Sequence, residues 1–354
     1  MRLVLDDEQR QLRATVRKFL ADHAGSARVR EVMDSPQGYD RELWQRITGE
    51  LGLAGLVVPE EHGGAGAGHA ERAIVLEELG RTLAPVPFFA SAVLAVDAAQ
   101  AAGDHELVAR LASGETIGTV AVSETWGPVP ATARETGGGW VLDGHAPLVI
   151  SGDIADVVLV YTGAWFAVTE GFTRTTLRTL DPTRRIARLE FSATPARRLT
   201  DSPAILDRVR DLAAVALAAE QVGGMGRVLE TTNEYAKVRV QFGRAIGSYQ
   251  GVKHRLADLY CACEQAESLL RHAAWTADHD PGGLPLAAAT TQAFVGPAYF
   301  QAAADGVQLH GGIGYTWEHD AHLYYKRAKT SELLLGTADR QLARLARLLD
   351  LEPA

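Results

Sequence analysis

The stretch YAKVRVQFGRAIGSYQ, Tyr235–Gln250, sets Arg239, Phe242, Gly243, Ile246 and Gln250 between the end of one helical pattern and the start of another. A guanidinium placed there can fork onto two phosphate oxygens, and a neighbouring aromatic ring can cover a flat cofactor. Arg239 and Phe242 lie three apart, so a helix that persists to Phe242 puts them on one face. A second set follows in QLHGGIGY, Gln308–Tyr315. Its glycines Gly311, Gly312 and Gly314 let backbone N–H groups come close to phosphate oxygens. A third piece, LLLGT at Leu333–Thr337, closes a helical stretch. Taken singly, Arg239 reads as a solvated charge and GGIG as a turn between helices. Together they could meet the phosphates of a flat cofactor.

Long helical patterns must carry these pieces. After Asp201, helical spacing covers Pro203–Val238, Gly251–Asp278, Leu284–Gln308, Asp320–Leu335 and Ala338–Leu349, with Asp280-Pro281 and Gly282-Gly283 as breaks. Short breaks between long helices predict an antiparallel bundle. The N-terminal part is also helical: from Asp6 through Leu20, then Arg41–Leu51, Ala70–Arg81, Phe88–Ala102 and Glu106–Ala112. From Thr116 to about Arg198, β-branched and aromatic runs alternate with turn residues, which predicts a small antiparallel barrel or sandwich. Asp143-Gly144 reads as a hairpin there, with Gly137–Gly139 and Gly152-Asp153 as further turns. The expected class is α+β, in three parts: a helical domain over 1–115, an antiparallel β-domain over 116–200 and a helical bundle over 201–354.

Composition narrows the function. The 354 residues are 47% hydrophobic and 22% charged, as in an ordinary globular protein. A formal net charge of −9 argues against general binding to nucleic acid. Cys261 and Cys263 cannot build a disulfide framework or a zinc site. The N-terminus MRLVLDDEQRQ has no extended apolar region, so no secretory signal is expected. The apolar run Leu212–Ala219 falls short of the roughly 18 residues of a membrane span, which makes the cytoplasm the expected location. The glycine-rich loop Gly63–Gly68 lacks the strand, helix and Lys-Ser/Thr context of a phosphate loop. His310, His319 and His322 complete no metal-ligand spacing and read as packing or surface groups.

The three C-terminal pieces, with LWQRITGELGLAGLVVPEEHGGAG and LEELGRTLAPVPF nearer the N-terminus, resemble the acyl-CoA dehydrogenase flavoprotein family. The resemblance covers nearly the whole chain. It implies FAD as cofactor, an acyl-CoA or acyl-carrier thioester as substrate, and electron-transfer flavoprotein as an acceptor to consider. In that family a flavin takes hydride from the β-carbon while a carboxylate removes the α-proton. By resemblance, Arg239, Phe242, Ile246, Gln250, Gln308, Gly311, Gly312 and Gly314 reach the ADP half of a neighbouring subunit's FAD, and Thr337 lies beside them. Val122 and Ser123 match a Val-Thr-Glu segment beside the flavin ring, with Ser in place of Thr.

Elsewhere the pattern is broken. The chain has TWGPVPATA where the family continues G-x-G-S-D, and Leu148-Val149-Ile150 where Trp-Ile-Thr or Ser meets the flavin. Ile150 has no hydroxyl, and Leu148 cannot stack as an indole does. The family's usual catalytic Glu aligns with Leu335, and the alternative position with Ala213. Neither side chain takes a proton. Asp211, Glu220, Glu318, Asp320 and Glu332 lie nearby and read as structural or solvated charges. The catalytic residue is therefore unknown from this chain. Parts that face a neighbour's nucleotide are kept, and parts that face this chain's own flavin are lost. In this the sequence is similar to actinobacterial-type members that lack the catalytic Glu and pair with a second subunit. A homo-oligomeric enzyme with a relocated base, and a non-catalytic structural or regulatory subunit, remain open.

Overall fold

The computed structural model describes residues 4–351. The expectation about the N-terminus rests partly on residues 1–3, outside the described residues. The chain packs as two compact units, interleaved in sequence. One contains the segments up to Val29, Ala73–Ala84 and from Ala214 onward; the other contains Arg30–Arg72 and Pro85–Ala213.

The helices are α1 (Asp7–His23), α2 (Ser26–Met33), α3 (Arg41–Gly49), α4 (His69–Thr82), α5 (Val96–Ala101), α6 (His105–Ala112), α7 (Ala204–Val238), α8 (Gln250–His279), α9 (Leu284–His310), α10 (Ala321–Leu334) and α11 (Ala338–Leu348). Local chemistry explains several starts. Asp6 caps α1 by accepting from Gln9 N while the Gln9 side chain returns to Asp6 N. Asp40 and Asp104 accept from Leu43 N and Leu107 N at α3 and α6. A π-helical turn, Phe89–Ala95, precedes α5, within the segment expected as one helix. The helix α2 is an addition to the expected set; its eight residues, SARVREVM, carry too short an apolar repeat to stand out.

The strands of the second unit are β1 (Gly118–Ala121), β2 (Ala131–Thr136), β3 (Gly139–Ile150), β4 (Val157–Tyr161), β5 (Trp165–Val168), β6 (Phe172–Thr176) and β7 (Ile186–Thr200). They run in the order β1-β4-β5-β7-β3-β2, with β6 also on β7. Leu142, Val149, Val158, Val160, Phe166, Val168, Leu189 and Phe191 form the core of this sheet. Two expectations need correction. The sheet is not wholly antiparallel, because β1 and β4 pair in parallel. Asp143-Gly144 is not a hairpin: both residues lie inside β3, where the register against β7 shifts between Leu142 and Gly144. Gly144 has φ +131°, and Asp143 Oδ1 accepts from Ala193 N at 2.7 Å, so the pair builds a bulge. The turn between β2 and β3 is at Gly137-Gly138.

This unit also buries an ion pair. Arg72 donates to both carboxylate oxygens of Asp97, at 2.7 and 2.9 Å. The Gly63–Gly68 loop closes on itself, with Gly64 N donating to Pro59 O and Gly66 N to Val58 O. A Cβ on Gly64 would lie 2.1 Å from Val58 O, so the loop is packed against its own chain and offers no open cradle.

In the first unit α9 packs against α8, α10 and α11. The helices α4 and α7 approach so closely that a Cβ on Gly80 would fall 2.1 Å from Glu220 O. Beside this crossing, buried Glu77 binds Arg271 and Arg13, and both arginines also reach Glu267. Burial pushes the Glu77 carboxyl above its usual range, in spite of the two guanidinium groups.

The apolar-run argument also needs correction. The helix α7 contains an 18-residue window of mean hydropathy 1.2, long and apolar enough to cross a membrane. Counting unbroken apolar residues missed it because Glu220 and Gln221 end the run Leu212–Ala219. Of that window 78% is buried inside the protein, as in the core helix of a globular fold.

Candidate functional site

The first unit brings the C-terminal motifs onto neighbouring ends of α7 and α9. The helix α7 ends at Val238, earlier than a shared face for Arg239 and Phe242 requires. A hairpin follows instead, with strands β8 (Val240–Gln241) and β9 (Arg244–Ala245). The β-branched residues Val238 and Val240 favour extended backbone, and a two-residue loop, Phe242-Gly243, reverses it. Both loop residues have positive φ, +50° and +81°, as the common tight hairpin turns demand. Gly243 takes this conformation freely; for Phe242 it is strained.

The hairpin is tied back at several points. Ile246 N donates to Arg239 O at 2.8 Å, and Tyr249 Oη donates to Gln241 O at 3.0 Å. The Arg244 guanidinium lies over the Tyr249 ring at 4.0 Å. Gly247 passes close to Ala236, where a Cβ would lie 2.9 Å from the carbonyl oxygen. Gln250 then opens α8. Arg239 is exposed and makes no ion pair among the described residues. Phe242 is 93% exposed at the hairpin tip. Ile246 is half-buried.

Gln308 is exposed on the last turn of α9, and Gly311, at φ +65°, ends the helix with its N–H on Gln308 O. Nothing lies within 4 Å of a Cβ position on Gly311 or Gly312, so this backbone is open to an approaching group. Gly314 is buried and packs on Val307 O and His310. Between the two motifs stand aromatic contacts. The His310 ring is 4.6 Å from Tyr235 and 4.3 Å from His319, centroid to centroid. His310 Nδ1 is 2.7 Å from Gly306 O, and a carbonyl only accepts, so Nδ1 carries the proton. Burial pushes this imidazole below its usual range, against the Gly306 hydrogen bond. His319 Nδ1 accepts from Ala321 N at 3.1 Å. His310 also lines a cavity of about 180 Å³ with Thr232, His319 and Tyr324. Among the described residues no group of three or more His, Cys, Asp or Glu is gathered as a metal ion would need.

The two base positions are apolar and closed. Leu335 is 6% exposed, just beyond α10, and its carbonyl oxygen accepts from Gln341 Nε2 at 2.7 Å. Ala213 is fully buried in α7. Thr337 is half-buried and precedes α11 as its N-cap, with no side-chain capping bond. The nearby carboxylates are engaged elsewhere. Glu332 binds Lys329 at 2.8 Å, Asp320 accepts from Ser26 Oγ at 2.7 Å, Glu220 lies 3.9 Å from Arg327, and Asp211 is 3.4 Å from Arg210. Glu318 is exposed. Cys261 and Cys263 are free thiols on α8, and burial pushes Cys263 up to about 12.

Val122 and Ser123 belong to the other unit, directly after β1. The Ser123 hydroxyl accepts from Gly127 N at 2.9 Å, closing a turn in which Trp126 has φ +56°. Leu148 is exposed, and the Ile150 carbonyl accepts from Thr119 Oγ1 at 2.6 Å. The set divides in its chemistry. Around Arg239 and Gly311 there is an unpaired guanidinium, an exposed ring and open backbone, which fit a nucleotide's phosphates and base. The Ser123 hydroxyl is already bonded to Gly127 N, and position 150 carries no hydroxyl.

Comparison with known proteins identifies the family. Residues 6–115 match the family model described as acyl-CoA dehydrogenase, N-terminal domain, and residues 208–349 the acyl-CoA dehydrogenase, C-terminal domain. Acyl-CoA dehydrogenase IpdE2 of Mycobacterium tuberculosis is 42% identical over 96% of this chain and 96% of its own length. Among solved structures, the ChsE4-ChsE5 complex from Mycobacterium tuberculosis matches with a TM-score of 0.90 at 32% identity, covering 100% of both chains. The structure described as the Tcur3481-Tcur3483 steroid ACAD G363A variant matches with a TM-score of 0.90 at 31% identity, covering 98% of each chain.

Proposed function

The chain belongs to the acyl-CoA dehydrogenase family, and from that premise we propose that it serves FAD-dependent α,β-dehydrogenation of an acyl thioester as one subunit of a paired assembly. The observation that carries the pairing is Leu335, a buried leucine where the family's carboxylate would stand, with Ala213 equally inert at the alternative position. A related dehydrogenase subunit supplies the carboxylate that takes the α-proton.

FAD, when bound, supplies the acceptor for the hydride leaving the β-carbon. This chain's part is to hold the nucleotide end. Arg239 would neutralise pyrophosphate charge, Gly312 would offer a backbone N–H beside the open Cα of Gly311, Phe242 and Ile246 would cover the adenosine, and Gln250 and Gln308 would hydrogen-bond its polar edge. Thr337 in the first unit, and Val122 and Ser123 in the second, are each proposed as cofactor contacts. The segments 1–115, 116–200 and 201–354 are the proposed functional domains, the last carrying this grip.

The paired names of both similar structures support a hetero-oligomer. The word steroid in one of them supports a bulky, sterol-derived acyl group, in lipid degradation. Cytoplasmic work on a CoA or carrier thioester, with electron-transfer flavoprotein as acceptor, completes the reading.

The test is purification of the full chain alone and together with a co-expressed related dehydrogenase subunit. Flavin absorbance and acyl-CoA turnover should require both chains. A yellow, active homo-oligomer of this chain alone would sink the pairing. Absence of flavin in every combination would favour a structural role.

A further inference from the structure

We infer that His310 is the positioning residue of the dinucleotide grip: its ring, set between Tyr235 and His319, holds the Arg239 hairpin and the Gly311–Gly314 turn in one arrangement. The inference rests on the nucleotide-binding role proposed above for those two segments.

Three elements converge on this ring. Tyr235 stands on the last turns of α7, four residues before Arg239, so it reports where the hairpin starts. His310 is the final residue of α9, directly ahead of Gly311. His319 follows the turn, ahead of α10. The centroid distances of 4.6 and 4.3 Å place the rings in contact, at tilts of 30° and 49°. The Gly306 carbonyl, 2.7 Å from Nδ1, fixes the ring's rotation.

The surroundings leave the ring little freedom. His310 is buried, and a Cβ on Gly314 would lie 3.1 Å from the His310 Cβ, so the turn itself rests against this side chain. On α9 one turn earlier, a Cβ on Gly306 would lie 2.7 Å from Val228 of α7, so the two helices already touch there. The helix contact sets the distance between α7 and α9; the aromatic stack sets the direction in which their ends leave. The Arg239 and Gln308 side chains are exposed near that stack, and the ties from Ile246 N to Arg239 O and from Tyr249 Oη to Gln241 O stay within residues 239–249. A residue that presents two separate binding segments together raises affinity by removing the cost of ordering them.

The experiment uses the assembly formed with the co-expressed subunit, stripped of flavin and titrated with FAD, following the quenching of flavin fluorescence. His310→Ala is expected to weaken FAD about tenfold, the scale of two lost aromatic contacts. His310→Phe, which keeps the ring, should restore most of that loss. His310→Asn, which keeps a donor toward Gly306 but no ring, should behave as the alanine variant. Tyr235→Ala, which removes one of the two contacts, should weaken FAD less, and the double variant should bind no more weakly than His310→Ala, since Tyr235 acts through the His310 ring. Hydrogen exchange of the flavin-free protein gives an independent reading: Tyr235 and His310 variants should speed exchange in 239–249 and 311–316 while α8 stays protected. Unchanged FAD affinity in His310→Ala, or independent additive losses in the double variant, would overturn the inference and leave the proposed function standing. A wild-type assembly that takes up no FAD would overturn both.

Discussion

A Cβ on Gly223 would lie 1.8 Å from the carbonyl oxygen of Glu77. Helices α4 and α7 therefore meet backbone to backbone, and the meeting point carries the Glu77–Arg271 ion pair beside it. Gly223→Ala forces the two backbones apart, an overpacking that costs about 3 kcal/mol. The expected outcome is a clearly lowered melting temperature for the whole chain, read by circular dichroism. A melting temperature within one degree of wild type would show that the crossing yields freely.

Glu77 makes stability depend on pH once its partner is removed. Its carboxyl is already raised by burial, and Arg271→Met takes away the guanidinium that opposes the shift. Breaking a buried pair from one side costs about 3–5 kcal/mol. A raised carboxyl binds its proton more tightly folded than unfolded, so its contribution is fully present below the unfolded value and falls as pH rises through the folded one. The Arg271→Met variant should thus melt higher at pH 5 than at pH 7.5. Adding Glu77→Gln should remove that slope.

Phe242 gives a prediction with opposite signs for the free and the assembled chain. Its left-handed backbone costs about 1–2 kcal/mol that glycine would not pay. Phe242→Gly should leave the isolated chain as stable as wild type or slightly more so, glycine's greater freedom when unfolded offsetting part of the gain. The same change should weaken FAD binding and subunit association. Differential scanning calorimetry and sedimentation of the same samples separate the two effects.

Arg239 should contribute by geometry as well as charge. Arg239→Lys keeps a cation but loses the fork, so FAD affinity should drop about tenfold, and Arg239→Ala further. A titration in which the lysine variant equals wild type would reduce the role to simple charge.

Leu335 provides a check on which subunit holds the base. Leu335→Glu puts a carboxylate where the chain has a buried leucine, which should cost about 2 kcal/mol or more and lower the melting temperature. Turnover by the paired assembly should stay within about twofold, because in the proposed pairing the working carboxylate belongs to the other subunit. A large rise in turnover would move the active site to this chain.

The sequence made the helical framework legible wherever caps and punctuation were local. Asp6 announces its helix, and Asp280-Pro281 marks a real break. Features that depend on distant partners were not legible. Asp143-Gly144 has the composition of a hairpin, but the Ala193 N–H, fifty residues on, turns it into a bulge within one strand. The parallel pairing of Gly118–Ala121 with Val157–Val160 leaves no trace in either segment alone. Near the site, the residues of the proposed grip could be named from the family resemblance, whereas their arrangement could not. Arg239 and Phe242 look like helical neighbours because the pattern of α7 gives no early warning that Val238 ends it. The contact of His310 with Tyr235 joins residues seventy-five apart in the chain, a distance shown by their numbers, and no local pattern contains it.

The bare phenyl ring at the hairpin tip has a consequence for supply. A copy of this polypeptide made without its mate would display that ring to every other surface in the cell, inviting adhesion and cleavage at the loop. Production of the two chains in matched amounts, from linked genes or a shared message, would keep such orphans rare, and a surplus of this one should have a short lifetime.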